Sequence, residues 1–152
     1  VHGRLIILNK THFSTEFFAQ HSKNPFRSFL QRDVIGFGTR ISLDDSTKLG
    51  FGVLTEDEED LQGIETDTER LSLYFTDKYE LAENIDLLIT AYYQPSLDET
   101  DDYKASILTG VNFTVNENVS ISLQFSSFYD SIPPEFADKQ DEQISTEFSY
   151  SF

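Results

Sequence analysis

The sequence predicts an all-β protein, an antiparallel up-and-down transmembrane β-barrel of 8 to 12 strands in one domain covering residues 1–152. Three observations predict it. Apolar and polar residues alternate over many segments, with the period of two that a β-strand imposes. The connections between these segments are alternately short and long. The short turns, near residues 10, 45, 81 and 117, recur every 35 or 36 residues, so the repeated unit is a hairpin.

The first half of the chain contains five predicted strands. Residues 1–10 form a leading strand or an extension, with an apolar run from Leu5 to Leu8. In the third strand Ile35, Phe37 and Ile41 share one face, opposite Arg32 and Arg40. The predicted strands of this half cover residues 3–8, 12–21, 28–42, 47–56 and 68–77.

In the second half of the chain, apolar and polar residues alternate more regularly. In the tract from Val119 to Phe125 every second residue is apolar, and the residues between are Ser or Gln. A helix would scatter these residues around its axis. The predicted strands of this half cover residues 85–94, 103–115, 119–125 and 144–152. Together with the first half they leave four long polar loops, at residues 22–28, 57–67, 96–102 and 131–141.

The number of strands leaves two alternatives. Single-chain bacterial barrels have an even number of antiparallel strands, and nine is odd. Either this chain is part of a longer barrel whose leading strands are missing from it, or residues 11–152 form an eight-stranded barrel and residues 1–9 are an extension. We favour the longer barrel.

Composition excludes several classes of protein. The chain is 38% hydrophobic and 14% aromatic, too apolar for a disordered segment. Its 27 Asp and Glu against 11 Lys and Arg give a net charge of −16, which argues against nucleic acid as a partner. Cys is absent, so disulfides and thiolate metal sites are excluded. No apolar stretch approaches the length of a membrane-spanning helix.

Alternation alone does not decide which face of the sheet is outside. A soluble lipocalin-like carrier would bury the apolar face around a ligand, whereas a membrane barrel turns that face to lipid. Several aromatic residues lie near strand ends, as the interfacial girdle of a membrane barrel requires. The polar face carries both signs of charge, which would pair across a closed lumen: Glu16, Arg32, Arg40, Arg70, Lys104 and Glu147, with Arg4 and Asp86.

The C-terminal strand ends in an aromatic residue at every second position: Phe148, Tyr150 and Phe152. This ending resembles the assembly signal of bacterial outer-membrane barrels. The resemblance implies a place in the outer membrane, with the barrel-assembly machinery, membrane lipid and lipopolysaccharide as partners. It also places the four long loops outside the cell.

Six segments occur in order along the chain: TEFFAQH at 15–21, GFGTR at 36–40, LGFG at 49–52, YQP at 93–95, YDSIPP at 129–134 and SYSF at 149–152. In this order they resemble the salt-induced outer-membrane-protein family of bacterial β-barrels. The resemblance implies a non-enzymatic protein of envelope integrity or ionic stress, of unknown biochemical role.

An acidic tract is the main candidate for ion binding. Carboxylate oxygens are the ligands that Ca²⁺ and Mg²⁺ prefer, and such ions would bridge the tract to lipopolysaccharide phosphates. The EF-hand spacing is absent, and runs of like charge are usually solvated loops. The tract is therefore a weak metal candidate, and no other cofactor is expected. Its residues are Glu56, Asp57, Glu58, Glu59 and Asp60.

Two further functions are weaker alternatives. His21 and Ser22 are the residue types of outer-membrane lipid A hydrolases, but adjacent residues of one strand point to opposite faces. No catalytic residue is therefore assigned. The charged polar face also suggests a narrow channel, although barrels of this size have interiors largely filled by side chains.

Overall fold

The computed structural model describes residues 2–10, 12–24, 29–135 and 137–150. These residues form one nine-stranded sheet in which each strand pairs with its sequence neighbours, always antiparallel. The predicted all-β, up-and-down antiparallel order is confirmed. The strands are β1 (His2–Lys10), β2 (Phe13–Asn24), β3 (Phe29–Ser42), β4 (Lys48–Asp60), β5 (Glu65–Ala82), β6 (Ile85–Pro95), β7 (Tyr103–Asn116), β8 (Val119–Asp130) and β9 (Gln140–Tyr150).

The sheet is not closed into a barrel, and its edges are β1 and β9. β1 pairs with β2 from His2 to Lys10, so residues 2–10 form an edge strand. This pairing differs from the eight-stranded alternative, which makes residues 1–9 an extension. Among the described residues, no helix is long and apolar enough to cross a membrane.

The prediction of a long loop at residues 57–67 is wrong. β4 continues to Asp60 and β5 begins at Glu65, so only residues 61–64 connect them. The Asp60 carboxylate accepts hydrogen bonds of 2.8 Å from the backbone N–H groups of Gln62 and Ile64. Gly63 adopts a φ of 78°, which this turn requires. A run of acidic residues is typical of a solvated loop, but the residues of this run alternate between the two faces of a hairpin.

The other connections agree better with the predictions from the sequence. The loop at 96–102 lies between β6 and β7 as predicted, whereas β9 begins at Gln140, four residues before the predicted strand. β2 extends to Asn24, and residues 25–28 of the predicted loop lie outside the described residues. The compact turns join β1 to β2, β3 to β4, β5 to β6 and β7 to β8.

The polar face of the sheet is buried and the apolar face is exposed. Glu16 and Glu56 are each 2% exposed, whereas Ile35 is 68% and Phe51 58% exposed. We call the face of Glu16 and Glu56 the inner face, and that of Ile35 and Phe51 the outer face. Burial of ionised groups is costly unless they are paired, so the inner face must satisfy its charges internally.

Side chains that meet across the inner face show how strongly the sheet curves. An Arg4 N–H donates a hydrogen bond of 3.4 Å to the hydroxyl of Tyr92, which joins β1 to β6. In a flat sheet these strands would be about 24 Å apart, because neighbouring strands lie about 4.8 Å apart. The sheet therefore curls around its inner face.

The turn between β3 and β4 is organised by Asp44. Its carboxylate accepts hydrogen bonds from the backbone N–H groups of Thr47, at 2.7 Å, and Ser46, at 2.8 Å. The hydroxyl groups of both residues donate to it as well, each at 2.9 Å. These bonds, first those from Thr47, lower the pKa of Asp44 from 3.8 to about 2.

We expect Asp44→Ala to destabilise the fold in a pH-dependent way. Because the pKa is depressed in the folded state, the carboxylate stabilises fully above pH 3.8 and loses this contribution as the pH falls through 2. Urea unfolding of the wild type and the variant should therefore differ at pH 6 and converge toward pH 2. Asp45→Ala, in the same turn, is the matched control. A wild-type advantage that is constant over this pH range would contradict the interpretation.

Candidate functional site

Glu56 is the centre of a buried charge network on the inner face. Alternation along β4 turns its side chain inward, where Arg32 of β3 donates to Oε2 through Nε at 2.8 Å. Lys104 of β7 donates to Oε1, and Arg70 Nε of β5 lies 3.5 Å from the same oxygen. One carboxylate is thus held by three cations from three strands.

Three further carboxylates surround these cations. Asp102 accepts a bidentate pair of hydrogen bonds from Arg70, at 3.0 and 2.8 Å. Lys104 Nζ donates to Glu58 at 3.1 Å and lies 3.5 Å from Asp130 Oδ2. We call this set the Glu56 network: Arg32, Glu56, Glu58, Arg70, Asp102, Lys104 and Asp130.

A second network is centred on Glu16 of β2. Arg40 Nε lies 2.7 Å from Glu16 Oε1, and the Tyr74 hydroxyl donates to Oε2 at 2.7 Å. Arg40 Nε also donates to the Tyr74 hydroxyl at 2.8 Å. The guanidinium of Arg4 lies 5.4 Å from the centre of the Tyr74 ring and 4.0 Å from Glu16. We call Arg4, Glu16, Arg40, Tyr74 and Tyr92 the Glu16 network.

Glycines make room for the large inner-face side chains. A Cβ atom on Gly50 would lie 1.8 Å from Cε1 of Tyr74, so the ring lies directly on the Gly50 backbone. A Cβ atom on Gly36 would similarly lie 2.3 Å from Cζ of Phe18. At both positions the absence of a glycine side chain leaves room for an aromatic ring.

A cavity of about 460 Å³ lies along the inner face between the two networks. Its lining includes Arg4 and Glu16 from one network, and Arg32, Lys104 and Asp130 from the other. Both signs of charge therefore face the cavity. A space of this size with polar groups in its lining is large enough to hold ordered water.

The predicted lumen charges all lie on the inner face, and the structure brings most of them together. Arg32, Arg70 and Lys104 meet at Glu56, and Arg40 meets Glu16. Glu147 lies on the exposed edge strand β9, and it takes part in none of the ion pairs found among the described residues.

Sequence reasoning missed the carboxylates that hold these cations together. Glu56 and Glu58 belong to the tract predicted as a weak metal site, and neither Asp102 nor Asp130 is among the predicted lumen charges. One signal could have found the first two: Glu56 and Glu58 share the parity of Leu54, which continues the inner face of β4.

The acidic tract does not form a metal centre in the described part of the chain. No group of three or more His, Asp or Glu side chains is arranged there to hold a metal ion. Alternation sends Glu56 and Glu58 inward to cations, while Asp57 lies on the outer face, directly opposite Asp33 and Asp67. The weak metal candidates are therefore divided between the two faces.

His21 and Ser22 do not form a catalytic pair. Both lie within β2, so their side chains point to opposite faces. His21 Nδ1 lies 2.7 Å from Asp33 Oδ1 on the neighbouring strand. Ser22 donates a long hydrogen bond of 3.4 Å to the backbone carbonyl of Arg32.

Aromatic residues occupy both ends of the outer face. Tyr93, Tyr103 and Tyr129 form a row across β6, β7 and β8 beside the long loops, with ring centroids 5.6 and 5.5 Å apart. Phe148 and Tyr150 of the predicted assembly signal are exposed on β9, while Phe152 lies outside the described residues. Tyr92 lies instead on the inner face, where its hydroxyl accepts a hydrogen bond from Arg4.

The profile of one protein family, described as "Protein of unknown function, DUF481", matches residues 1–152. The chain belongs to the DUF481 family. No curated protein and no solved structure matches it. The features of this DUF481 chain that bear on its function are the two faces of its sheet and its charge networks.

Proposed function

We propose that the chain is the main part of a transmembrane β-barrel in a bacterial outer membrane. One observation carries the proposal: the charged face of the sheet is buried, and the face rich in Ile, Leu and Phe is exposed. A water-soluble protein of this size would bury such a face, because exposed apolar patches of several strands are rare in soluble monomers. In lipid the exposed face is favourable.

The height of the outer face supports the proposal. Tyr103 and Phe113 lie on the outer face of β7, ten residues apart. At about 3.3 Å per residue they are about 33 Å apart along the strand. A strand tilt of about 40° reduces this distance to about 25 Å along the membrane normal, the height of the apolar band in outer-membrane barrels. The tyrosine row beside the loops then lies at one interface.

A closed barrel requires strands beyond the nine in the sheet. β1 and β9 run in the same direction, because every neighbouring pair between them is antiparallel. Direct pairing of the two edges would be parallel, so antiparallel closure needs an odd number of further strands. The proposal therefore includes closure by such strands.

The biological role follows the family resemblance rather than the geometry. We propose a non-enzymatic role in envelope integrity or in the response to ionic conditions, with lipopolysaccharide and the barrel-assembly machinery as partners. The loops at 96–102 and 131–139 and the acidic β4–β5 hairpin would then face the outside of the cell.

Site-specific fluorescence tests the membrane proposal directly, since the chain has no Cys of its own. Leu123→Cys labels the outer face of β8, and Gln124→Cys, the next residue, labels the inner face. In vesicles, brominated lipid should quench a fluorophore at position 123 and leave one at 124 largely unaffected. Flotation of the vesicles should carry the folded protein upward.

The soluble alternative predicts the opposite outcome. A lipocalin-like carrier would fold in water without lipid and remain at the bottom of the gradient. A label at position 123 would then be shielded from both lipid and water. Either result would overturn the membrane proposal.

A further inference from the structure

We propose that β9 binds a further β-strand, which runs antiparallel to it and carries a Lys or Arg that faces inward beside Glu147. The inference rests on the proposed membrane barrel, because water would satisfy this edge in a soluble protein. It adds to that proposal the place where the sheet is extended and the chemistry of the strand that extends it.

One edge of β9 has no strand beside it in the described part of the chain. On its other edge, β8 pairs with every residue from Gln140 to Tyr150. An edge strand presents a row of unpaired backbone N–H and C=O groups. In the hydrocarbon core of a membrane no water is present to satisfy these groups. A membrane-embedded β9 therefore requires a strand at its open edge.

Glu147 determines the charge that this strand must carry. Ser122 lies directly opposite Glu147 on β8, and Asn112 lies opposite Ser122 on β7. The next charge along this row of the inner face is Asp86 of β6, an acid whose Oδ2 lies 3.0 Å from Lys78 Nζ. On the described strands, therefore, no cation lies beside Glu147 in this row. The open edge is the position left for one.

The other cations of the inner face are already bound. Those of the Glu56 network and of the Glu16 network contact carboxylates of their own, and β9 contributes no residue to either network. A carboxylate that loses water when a barrel closes needs an opposite charge. A basic residue on the added strand would supply it.

A second copy of this chain does not fit the open edge. β1 and β9 run in the same direction, so a copy in the same membrane orientation would present its β1 parallel to β9. Pairing of two β9 strands in antiparallel would require one copy to be inverted in the membrane. The occupant is therefore a strand other than β1 or β9. Its outward residues would be apolar, to continue the exposed surface of Ile144 and Phe148.

Three synthetic peptides test the proposal. Each has about 11 residues, the length of a membrane-spanning strand, in which Val and Ser alternate. They differ only at the central polar position, which is Lys, Gln or Glu. Resonance energy transfer from a donor at Leu123→Cys, on the strand beside β9, to an acceptor on the peptide measures binding. The chain is inserted in phosphatidylcholine vesicles, whose headgroups carry no net charge.

The Lys peptide should bind about fivefold more tightly than the Gln peptide, and the Glu peptide about fivefold more weakly, as for an ion pair of about 1 kcal/mol. Glu147→Lys should reverse this order. Glu142→Lys is the matched control, because it makes the same change on the outer face of the same strand and should keep the preference for the Lys peptide. Equal binding of the three peptides, or an unchanged order with Glu147→Lys, would overturn the proposal.

Two further results separate this inference from the membrane proposal. Protein that floats with vesicles and shows lipid quenching at position 123, but transfers no energy to any peptide, would overturn the edge proposal alone. Stepwise photobleaching that counts two copies in each particle would show a second copy at the edge, and would overturn it as well. Failure of the chain to insert would contradict the membrane proposal and, with it, this inference.

Discussion

Glu56→Gln should lower the free energy of unfolding by about 3 to 5 kcal/mol, the usual cost of removing one partner from a buried ion pair. Glu56 is 2% exposed and holds Arg32, Arg70 and Lys104. A neutral amide at the centre of the network would leave Arg32, Arg70 and Lys104 close together, with carboxylates only on their outer sides. Urea unfolding of lipid-folded protein measures the difference.

Asp57→Asn is the matched control, since it makes the same chemical change at the next residue. Asp57 is exposed and lies opposite Asp33 in β3 and Asp67 in β5. Like charges directly opposite each other are destabilising, so this variant should unfold at the same denaturant concentration as the wild type or a slightly higher one. Equal losses of unfolding free energy in the two variants would contradict the role assigned to Glu56 at the centre of the network.

Gly50→Ala should cost about 2 to 4 kcal/mol, from overpacking and weakened charge-assisted hydrogen bonds. The new methyl carbon would lie 1.8 Å from Cε1 of Tyr74. The ring would have to move, and its hydroxyl is held between Glu16 and Arg40 at 2.7 and 2.8 Å. The steric clash would therefore disrupt the Glu16 network as well.

Gly110→Ala is the matched control for Gly50→Ala. Gly110 also lies on the inner face, in β7, but the nearest atom to its added Cβ would be Gln124 Cγ at 4.0 Å. That variant should be neutral or more stable by about 0.5 kcal/mol, since alanine loses less entropy than glycine in a strand. Thermal unfolding of the two variants in the same lipid measures the contrast. A loss at position 110 as large as at 50 would contradict the packing argument.

The sequence predicts most strand positions well, because the alternation of apolar and polar residues is a local property of the chain. The tract at 119–125 alternates without a break, and β8 contains it completely. The pattern does not identify a strand where charged residues occupy both of its faces. At Glu56 to Asp60 every residue is acidic, so the sequence shows no contrast between the two faces and predicts a loop from residue 57 onward. Its hairpin is visible only once the partner strands are paired.

The sequence by itself determined the strand order, the compact turns and the separation of residues into two faces, because each depends on neighbours along the chain. The tertiary structure decided which face is buried and which charges meet. Glu56 and Lys104 are 48 residues apart and come together only through the curvature of the sheet. Curvature depends on the twist and packing of all the strands together, with glycines at positions such as Gly50 admitting the rings inside.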